Sequence, residues 1–215
     1  TPSTKHPNTN IPFVLQTITG ATTSDGLGAS ATASHAYEGG YYHNDPTDSH
    51  RNAFTGFHRV TTTDPKGNIT KRYFHQGAGS VDGTSQGEYQ DHEHKRGRMY
   101  REEVYQGAGQ KLRQTLYRFD RVDRGDNRSF VFLSQSVTET VSSDATHKDT
   151  ATMYQYDTYA RVFKITEFAQ VIGNEDGSFA DTIPDNRITT ISYAEHANGI
   201  PQSAISWKLI QANDG

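Results

Sequence analysis

Apolar and polar residues alternate in short runs along this chain, and clusters of Gly, Asn, Asp and Ser interrupt them every ~8–14 residues. That is the spacing of an all-β protein built from hairpins. Two copies of one cassette stand out. In the first, Gly56-Phe57-His58-Arg59-Val60-Thr61-Thr62-Thr63 leads into the turn Asp64-Pro65-Lys66-Gly67-Asn68 and returns as Ile69-Thr70-Lys71-Arg72-Tyr73-Phe74. In the second, Gly97-Arg98-Met99-Tyr100-Arg101-Glu102-Glu103-Val104-Tyr105 leads into Gln106-Gly107-Ala108-Gly109-Gln110 and returns through Lys111 to Phe119. Each reads as glycine, strand, a five-residue turn bearing glycine, strand. Repeated strand units stack into arrays, because one unit alone cannot bury its apolar face.

Further strands are predicted over 13–23 and 29–37, separated by the turn Ser24-Asp25-Gly26-Leu27-Gly28, with a loop over 39–52. Residues 76–96 read as a long connection with one helical turn near Tyr89–His94. The segment 120–127 reads as a charged turn. One long bent strand or two shorter ones follow over 128–141, then a polar turn over 142–149. Strands are expected over 151–156, 161–171, 187–194 and 202–210, with a loop at Gly173–Ser178. No stretch holds a helical period of 3.6 over three turns. Residues 1–12 hold Pro2, Pro7 and Pro12 in a polar background and read as a tail or linker; residues 13–215 read as the array.

Composition changes the picture only in part. Hydrophobic residues make up 32% of the 215, while 12 Tyr and 10 Phe carry much of the burying power. That mix suits strands with one wet face, where aromatic and β-branched side chains pack across strand pairs. A net charge of −4 argues against a nucleic-acid partner. No apolar run approaches the ~20 residues of a membrane-spanning helix. The absence of cysteine excludes disulfides and thiolate metal sites. With neither an initiating Met nor a signal peptide, the chain reads as a mature or excised piece.

At Tyr154-Gln155-Tyr156-Asp157-Thr158-Tyr159-Ala160-Arg161 the chain resembles the YD repeat of Rhs proteins, Tyr-x-Tyr-Asp-x-x-Gly-Arg. Tyr154, Tyr156, Asp157 and Arg161 match. Ala160 replaces the usual Gly, so this turn either departs from the usual form or does not require positive φ. Upstream, a set of blocks in order is similar to one region of the insecticidal Tc-toxin B-component type and of related bacterial polymorphic toxins. The blocks are Ile11 to Leu15, Thr22 to Gly26, Tyr37 to Tyr42, Phe54 to Asn68, Tyr73 to Gly77 and Gly97 to Glu103. The resemblance covers most of residues 11–170. It implies a β-sheet ribbon that spirals into a hollow shell around a toxic polypeptide, of which this chain would form a slice of wall. It also implies that Gly56, Phe57, Asp64, Gly67, Gly97, Arg98, Tyr154, Tyr156, Asp157 and Arg161 are structural repeat positions. The family's self-cleavage site is marked by Asp-Pro-x-Gly. Asp64-Pro65-Lys66-Gly67 matches those letters, but its place in mid-cassette makes it a β-turn.

Several residues invite chemistry. Asp91, His92 and His94, in Asp91-His92-Glu93-His94, offer imidazole and carboxylate ligands to a divalent ion, with the two histidines on one side if the segment is a strand. The plainer reading is a solvated loop ahead of the second cassette. Glu102 and Glu103, with Glu38, offer a carboxylate pair for sugar hydrolysis. Strand alternation instead places Glu102 and Glu103 on opposite faces, one of them paired with Arg101 or Arg113. Arg124-Gly125-Asp126 is an adhesion tripeptide in a predicted turn. Asn68-Ile69-Thr70 and Asn127-Arg128-Ser129 match glycosylation acceptors, relevant only to a eukaryotic secretory context. Tyr41, Tyr42, Tyr73, Phe74, Tyr100, Tyr105, Tyr117, Phe119, Tyr154, Tyr156 and Trp207 could stack on sugars, but are expected to pack between strands. Neither a nucleophile elbow nor a P-loop or dinucleotide fingerprint is present.

The fold expected is all-β: successive antiparallel hairpins in an extended, twisted, YD-repeat-like sheet, a partial shell. The function expected is non-enzymatic and structural, in a secreted or surface-exposed bacterial toxin protein, with no cofactor, no catalytic residue and no assigned metal ligand. Its partners would be adjoining YD repeats, an enclosed toxin polypeptide, and further copies of itself through unpaired sheet edges. The alternatives are an extracellular module binding a glycan or host protein, and a carbohydrate-active enzyme.

Overall fold

The structure, a computed structural model, describes residues 11–45, 47–49, 52–77, 88–126, 128–142, 144, 146–195 and 201–212. Twelve strands lie in this portion: β1 (Gly20–Ser24), β2 (Ser30–His43), β3 (Ala53–Thr63), β4 (Ile69–Phe74), β5 (Met99–Gln106), β6 (Gln110–Asp123), β7 (Ser129–Val141), β8 (His147–Tyr156), β9 (Val162–Gly173), β10 (Phe179–Asp181), β11 (Asn186–Glu195) and β12 (Pro201–Ala212). They form one open sheet whose strand order follows chain order from β1 to β9 and then β11 and β12, with β10 paired to β9. Apart from the long connection between β4 and β5, neighbours are joined by hairpins or shorter segments, which is the antiparallel solution for strands lacking crossover helices. A 3₁₀ turn spans Glu93–Lys95.

Both cassettes are hairpins, β3–β4 and β5–β6. In the first, Thr63 pairs with Ile69 and Arg59 with Tyr73. Its turn is held by Asp64, whose N–H donates to the Asn68 carbonyl at 2.9 Å while the Gly67 N–H donates to the Asp64 carbonyl at 2.9 Å. The Asp64 carboxylate also accepts from the N–H groups of Lys66 and Asn68, each at 2.8 Å. This is a three-residue hairpin loop with a type I-like reversal and a left-handed fourth residue, here Gly67 at φ +85°. The bond pattern recurs at residues 157–161 and 174–178.

Several element boundaries differ from the sequence expectation. The strand predicted over 13–23 shrinks to β1, and Phe13 packs edge-on against Tyr42 and Phe54, each at 5.9 Å between ring centres. The loop predicted from residue 39 begins later. β2 runs on to His43 through a register shift between Gly40 and Tyr42, a bulge that lets a long strand follow β3. The charged turn is shorter too, because β6 extends to Asp123. Residues 129–141 are one strand, and β8 starts at His147 inside the predicted polar turn. β10 was not anticipated: its three residues give no periodic signal, and it is held by pairing with Val171–Gly173. The predicted tail falls almost wholly on residues outside the described portion.

The chain divides into two compact units, residues 1–115 and 116–215. They are stabilised differently. In residues 116–215 the core is apolar: Val137, Ala151 and Val171, with Phe168 and Phe179 packed against them. In residues 1–115, buried Tyr73 and Tyr100 are joined by buried His58, His75, Gln76, Glu88, Asp91, Lys95, Glu103 and Gln114. Buried polar groups of this number are tolerated only where they bond to one another or to the backbone.

Candidate functional site

Where β4 ends, the chain leaves the sheet but stays tied to it. The His75 N–H donates to the Arg98 carbonyl and the Gly97 N–H to the His75 carbonyl, each at 2.9 Å, so the ladder continues two residues beyond the strand. Gln76 turns its amide inward, where Nε2 donates to the carbonyls of Gly39 (2.7 Å) and Gly56 (3.0 Å). Gly77 sits at φ +68° against the 3₁₀ turn. A Cβ there would lie 2.7 Å from the Glu93 Cα and from the Arg96 Cγ, so only glycine allows this approach.

The approach assembles a buried polar cluster. The Asp91 carboxylate oxygen Oδ1 accepts from the Gly77 N–H at 2.9 Å and stands 3.0 Å from His75 Nδ1. Both side chains are fully buried. Glu88 joins them, with one ligand-type atom from each of His75, Glu88 and Asp91 within 4.8 Å of the others. The ring of Tyr100, which is wholly buried, lies 5.0 Å from that of His75. Burial pushes the Tyr100 phenol far above its ordinary value, and the nearby Glu88 carboxylate adds to the effect. Lys95 is buried beside them, its ammonium donating to the Tyr89 carbonyl at 2.8 Å and lying 5.0 Å from the centre of the Tyr89 ring.

The predicted metal triple is therefore split. Asp91 points into the buried cluster, whereas His92 and His94 are half-buried on the 3₁₀ turn with Glu93. The two imidazoles stack at 5.0 Å with Nδ1 atoms 3.1 Å apart, and His92 Nδ1 also accepts from the His94 N–H, capping the turn. The solvated-loop reading of this segment is not what the structure has: Glu88, Asp91 and Lys95 are among its most buried residues. A third group, Glu139, His147 and Asp149, lies on β7 and β8.

Glu102 and Glu103 do lie on opposite faces of β5. Glu102 is held by Arg72 (2.9 Å) and Arg113 (3.1 Å). Glu103, facing the other way, is the hub of a buried network. Its Oε1 accepts from Arg101 at 2.7 and 2.9 Å, and its Oε2 accepts from the hydroxyls of Tyr73 (2.9 Å) and Tyr105 (3.0 Å). Burial alone would raise the Glu103 pKa. The Arg101 guanidinium and the two phenols outweigh it and hold the carboxyl below its usual range. Glu38, the third sequence candidate, is paired with Arg59. All three carboxylates thus bond to guanidinium groups, an arrangement that braces a sheet.

The YD segment occupies the β8–β9 turn. The Asp157 carboxylate accepts from the N–H groups of Tyr159 and Arg161, each at 2.9 Å, and from Arg161 Nε at 2.7 Å. The Arg161 guanidinium also lies over the Tyr193 ring at 4.5 Å. Ala160 takes φ +66°, so the turn does require the left-handed conformation that glycine usually supplies. Tyr156 donates to the Leu133 carbonyl at 3.0 Å and packs on Phe132 and Phe130. Tyr154 lines an open groove of about 480 Å³ with these rings. Phe57 packs on Tyr37 and Phe54, Gly56 and Gly97 take positive φ, and Arg98 accepts through its carbonyl from His75. Trp207 departs from the expected interstrand packing and is about half exposed, at 51%. Arg124-Gly125-Asp126 lies in a turn, as expected, with Gly125 at φ +76°.

Residues 2–77 match the family model described as the insecticide toxin TcdB middle/N-terminal region. The chain is similar to a Tc-toxin B component. Among solved structures, the crystal structure of TcdB2-TccC3 without its hypervariable C-terminal region shares the fold, with a TM-score of 0.59 and 14% identity. That match covers 86% of this chain and 12% of the solved one, so this chain spans only a small share of that protein's length. No curated protein matches the chain. The Tc-type segment includes the first cassette, His75 and Gln76. Glu88 belongs to no motif read from the sequence, and only its burial beside His75 draws attention to it.

Proposed function

We propose that this chain is a non-enzymatic structural segment of a secreted bacterial Tc-type toxin protein, forming part of a β-sheet wall that encloses or displays a toxic polypeptide. The observation that carries the reading is the single sheet of chain-ordered antiparallel strands, which has the fold of part of TcdB2-TccC3. Such a sheet extends by adding hairpins at its ends, as a wall must. Its carboxylates support the reading, since Glu38, Glu102 and Glu103 pair with arginines across or along strands. On β12, the half-exposed Trp207 and Leu209 lie on one face, opposite Ser192 and Thr190 of β11, and form a small apolar patch suited to cover by further strands or by cargo. The repeat residues Gly56, Phe57, Asp64, Gly67, Gly97, Arg98, Tyr154, Tyr156, Asp157 and Arg161 act here as turn and packing positions.

Limited proteolysis of the complete protein with its cargo tests the proposal. Cargo peptides are expected to resist cleavage in the intact assembly and to be released for digestion when Val137→Asp breaks the apolar core. Equal digestion of cargo in the intact assembly and after its denaturation would refute enclosure. Saturable binding of the chain to one glycan on an array, with the cargo unprotected, would favour the binding-module alternative.

A further inference from the structure

We propose that the aromatic groove over β7 and β8 is a binding site for a neutral, hydroxyl-rich ligand, a short oligosaccharide. Its floor is made of rings. Phe130 and Phe132 stack at 5.2 Å between ring centres, and Tyr156 packs against them at 5.9 and 4.9 Å. Phe163 of β9 and Val122 of β6 also line the groove and remain 37% and 44% exposed. Rings placed in this way offer a flat apolar surface to the C–H face of a sugar. Polar groups stand beside them. Asp120, Tyr154 and Gln155 line the same groove, and no hydrogen bond or ion pair among the described residues engages their side chains. Arg124 makes one long bond, 3.5 Å to the Thr158 carbonyl. A carboxylate, a phenol, an amide and a guanidinium thus keep donor and acceptor capacity next to an apolar floor.

Backbone, charge and size narrow the ligand. The strands beneath the groove are paired on both sides, β7 between β6 and β8 and β8 between β7 and β9, so their backbone groups are used within the sheet. An extended peptide is recognised through free backbone at a sheet edge. Here only side chains are on offer, which is the kind of partner that sugar hydroxyls take. The charges balance as well. Asp157 is paired with Arg161 at 2.7 Å, and the Asp120 carboxylate is matched by the Arg124 guanidinium in the same lining. A phosphate or an acidic sugar would meet no excess of cations, whereas a neutral sugar requires none. The volume, about 480 Å³, falls in the range of small-molecule sites, roughly 300–1,000 Å³, and suits a short oligosaccharide better than a folded partner. The plainer account is that the rings brace β7 against β8 and bind nothing. It covers Phe130, Phe132 and Tyr156, but leaves the exposed Phe163 and the unengaged Asp120 without a role. Binding in this groove does not depend on whether the sheet encloses a cargo.

Calorimetric titration of the intact chain with neutral trisaccharides of glucose, galactose, mannose and N-acetylglucosamine separates the two accounts. At least one sugar is expected to bind with a dissociation constant of about 1 mM or tighter. Phe163→Ala should weaken that binding about tenfold. Asp120→Ala should weaken it about 10- to 100-fold. Both side chains lie at the surface of the groove, so each variant should keep the melting temperature of the wild type. Trp207→Ala removes a half-exposed ring on β12, outside the groove, and should leave binding unchanged. Absence of heat from all four sugars at about 10 mM would overturn the site. So would binding that survives both groove substitutions, or that is abolished by Trp207→Ala, which would place the sugar on β12. An aromatic-rich peptide that binds and is lost on Phe163→Ala, while no sugar binds, would overturn it in favour of a polypeptide ligand.

Discussion

Replacing Ala160 by glycine is expected to stabilise this protein, although it removes a side chain. Ala160 is the fourth residue of the β8–β9 turn and takes φ +66°. The left-handed region costs a residue with a Cβ roughly 1–2 kcal/mol. Glycine removes that strain but adds about 0.4–1 kcal/mol of unfolded-chain freedom. The net gain is about 0.5–1 kcal/mol, because the rest of the turn is already fixed by the Asp157 carboxylate and by the Asp157–Arg161 backbone pair. The equivalent turn supplies the reverse experiment. Gly67 takes φ +85°, and a Cβ built there meets nothing within 4 Å, so Gly67→Ala tests the backbone alone and should lose a similar amount. Urea unfolding followed by circular dichroism should show midpoint shifts of about 0.3–0.5 M in opposite directions, for a slope of about 2 kcal/mol/M. Hydrogen exchange of peptides spanning each turn reads the effect locally. A lower midpoint for Ala160→Gly, or no change in either variant, would refute the claim that the fourth-residue dihedral limits these hairpins.

Two further outcomes are expected. Glu103→Gln leaves the Arg101 guanidinium in a buried site without its counter-charge and should cost about 3–5 kcal/mol. Because the folded-state pKa of Glu103 is depressed, its contribution is fully present above the unfolded value near 4.5 and is lost as pH falls through the folded one. The wild-type melting temperature should therefore drop more steeply than that of Glu103→Gln as pH is lowered below 4.5, and parallel curves would show that Glu103 is not the titrating group. Tyr156→Phe removes the hydroxyl bond to the Leu133 carbonyl and should cost about 1 kcal/mol. Tyr156→Ala also removes the ring from Phe130 and Phe132 and should cost about 3 kcal/mol, as measured by urea unfolding. An unchanged midpoint for both would count against ring packing in this unit.

Much of the sheet was legible because period-two alternation and turn chemistry are local. Asp64-Pro65-Lys66-Gly67-Asn68 and Asp157-Thr158-Tyr159-Ala160-Arg161 announce their reversals through an aspartate that bonds the N–H groups two and four residues ahead. The opposed faces of Glu102 and Glu103 follow from the same alternation. Boundaries were less legible. β2 continues through Gly39 and Gly40, and β10 exists at all, because partner strands supply the pairing that these residues do not signal themselves. The arginine motif at Arg161 was visible, but its seat over the Tyr193 ring was not, since that partner lies 32 residues away in sequence.

The polar cluster marks the boundary most sharply. Residue order alone established an all-β chain of hairpins and their turns, since each depends on contacts within a few residues. Tertiary structure decided that His75, Glu88, Asp91 and Tyr100 share one buried place, and that Asp91 parts company with His92 and His94. The physical reason is close approach. Gly77 admits the 3₁₀ turn to within contact of the chain leaving β4, and the side chains sealed beneath it lose water and depend on one another. No periodicity encodes that dependence, because it arises from burial.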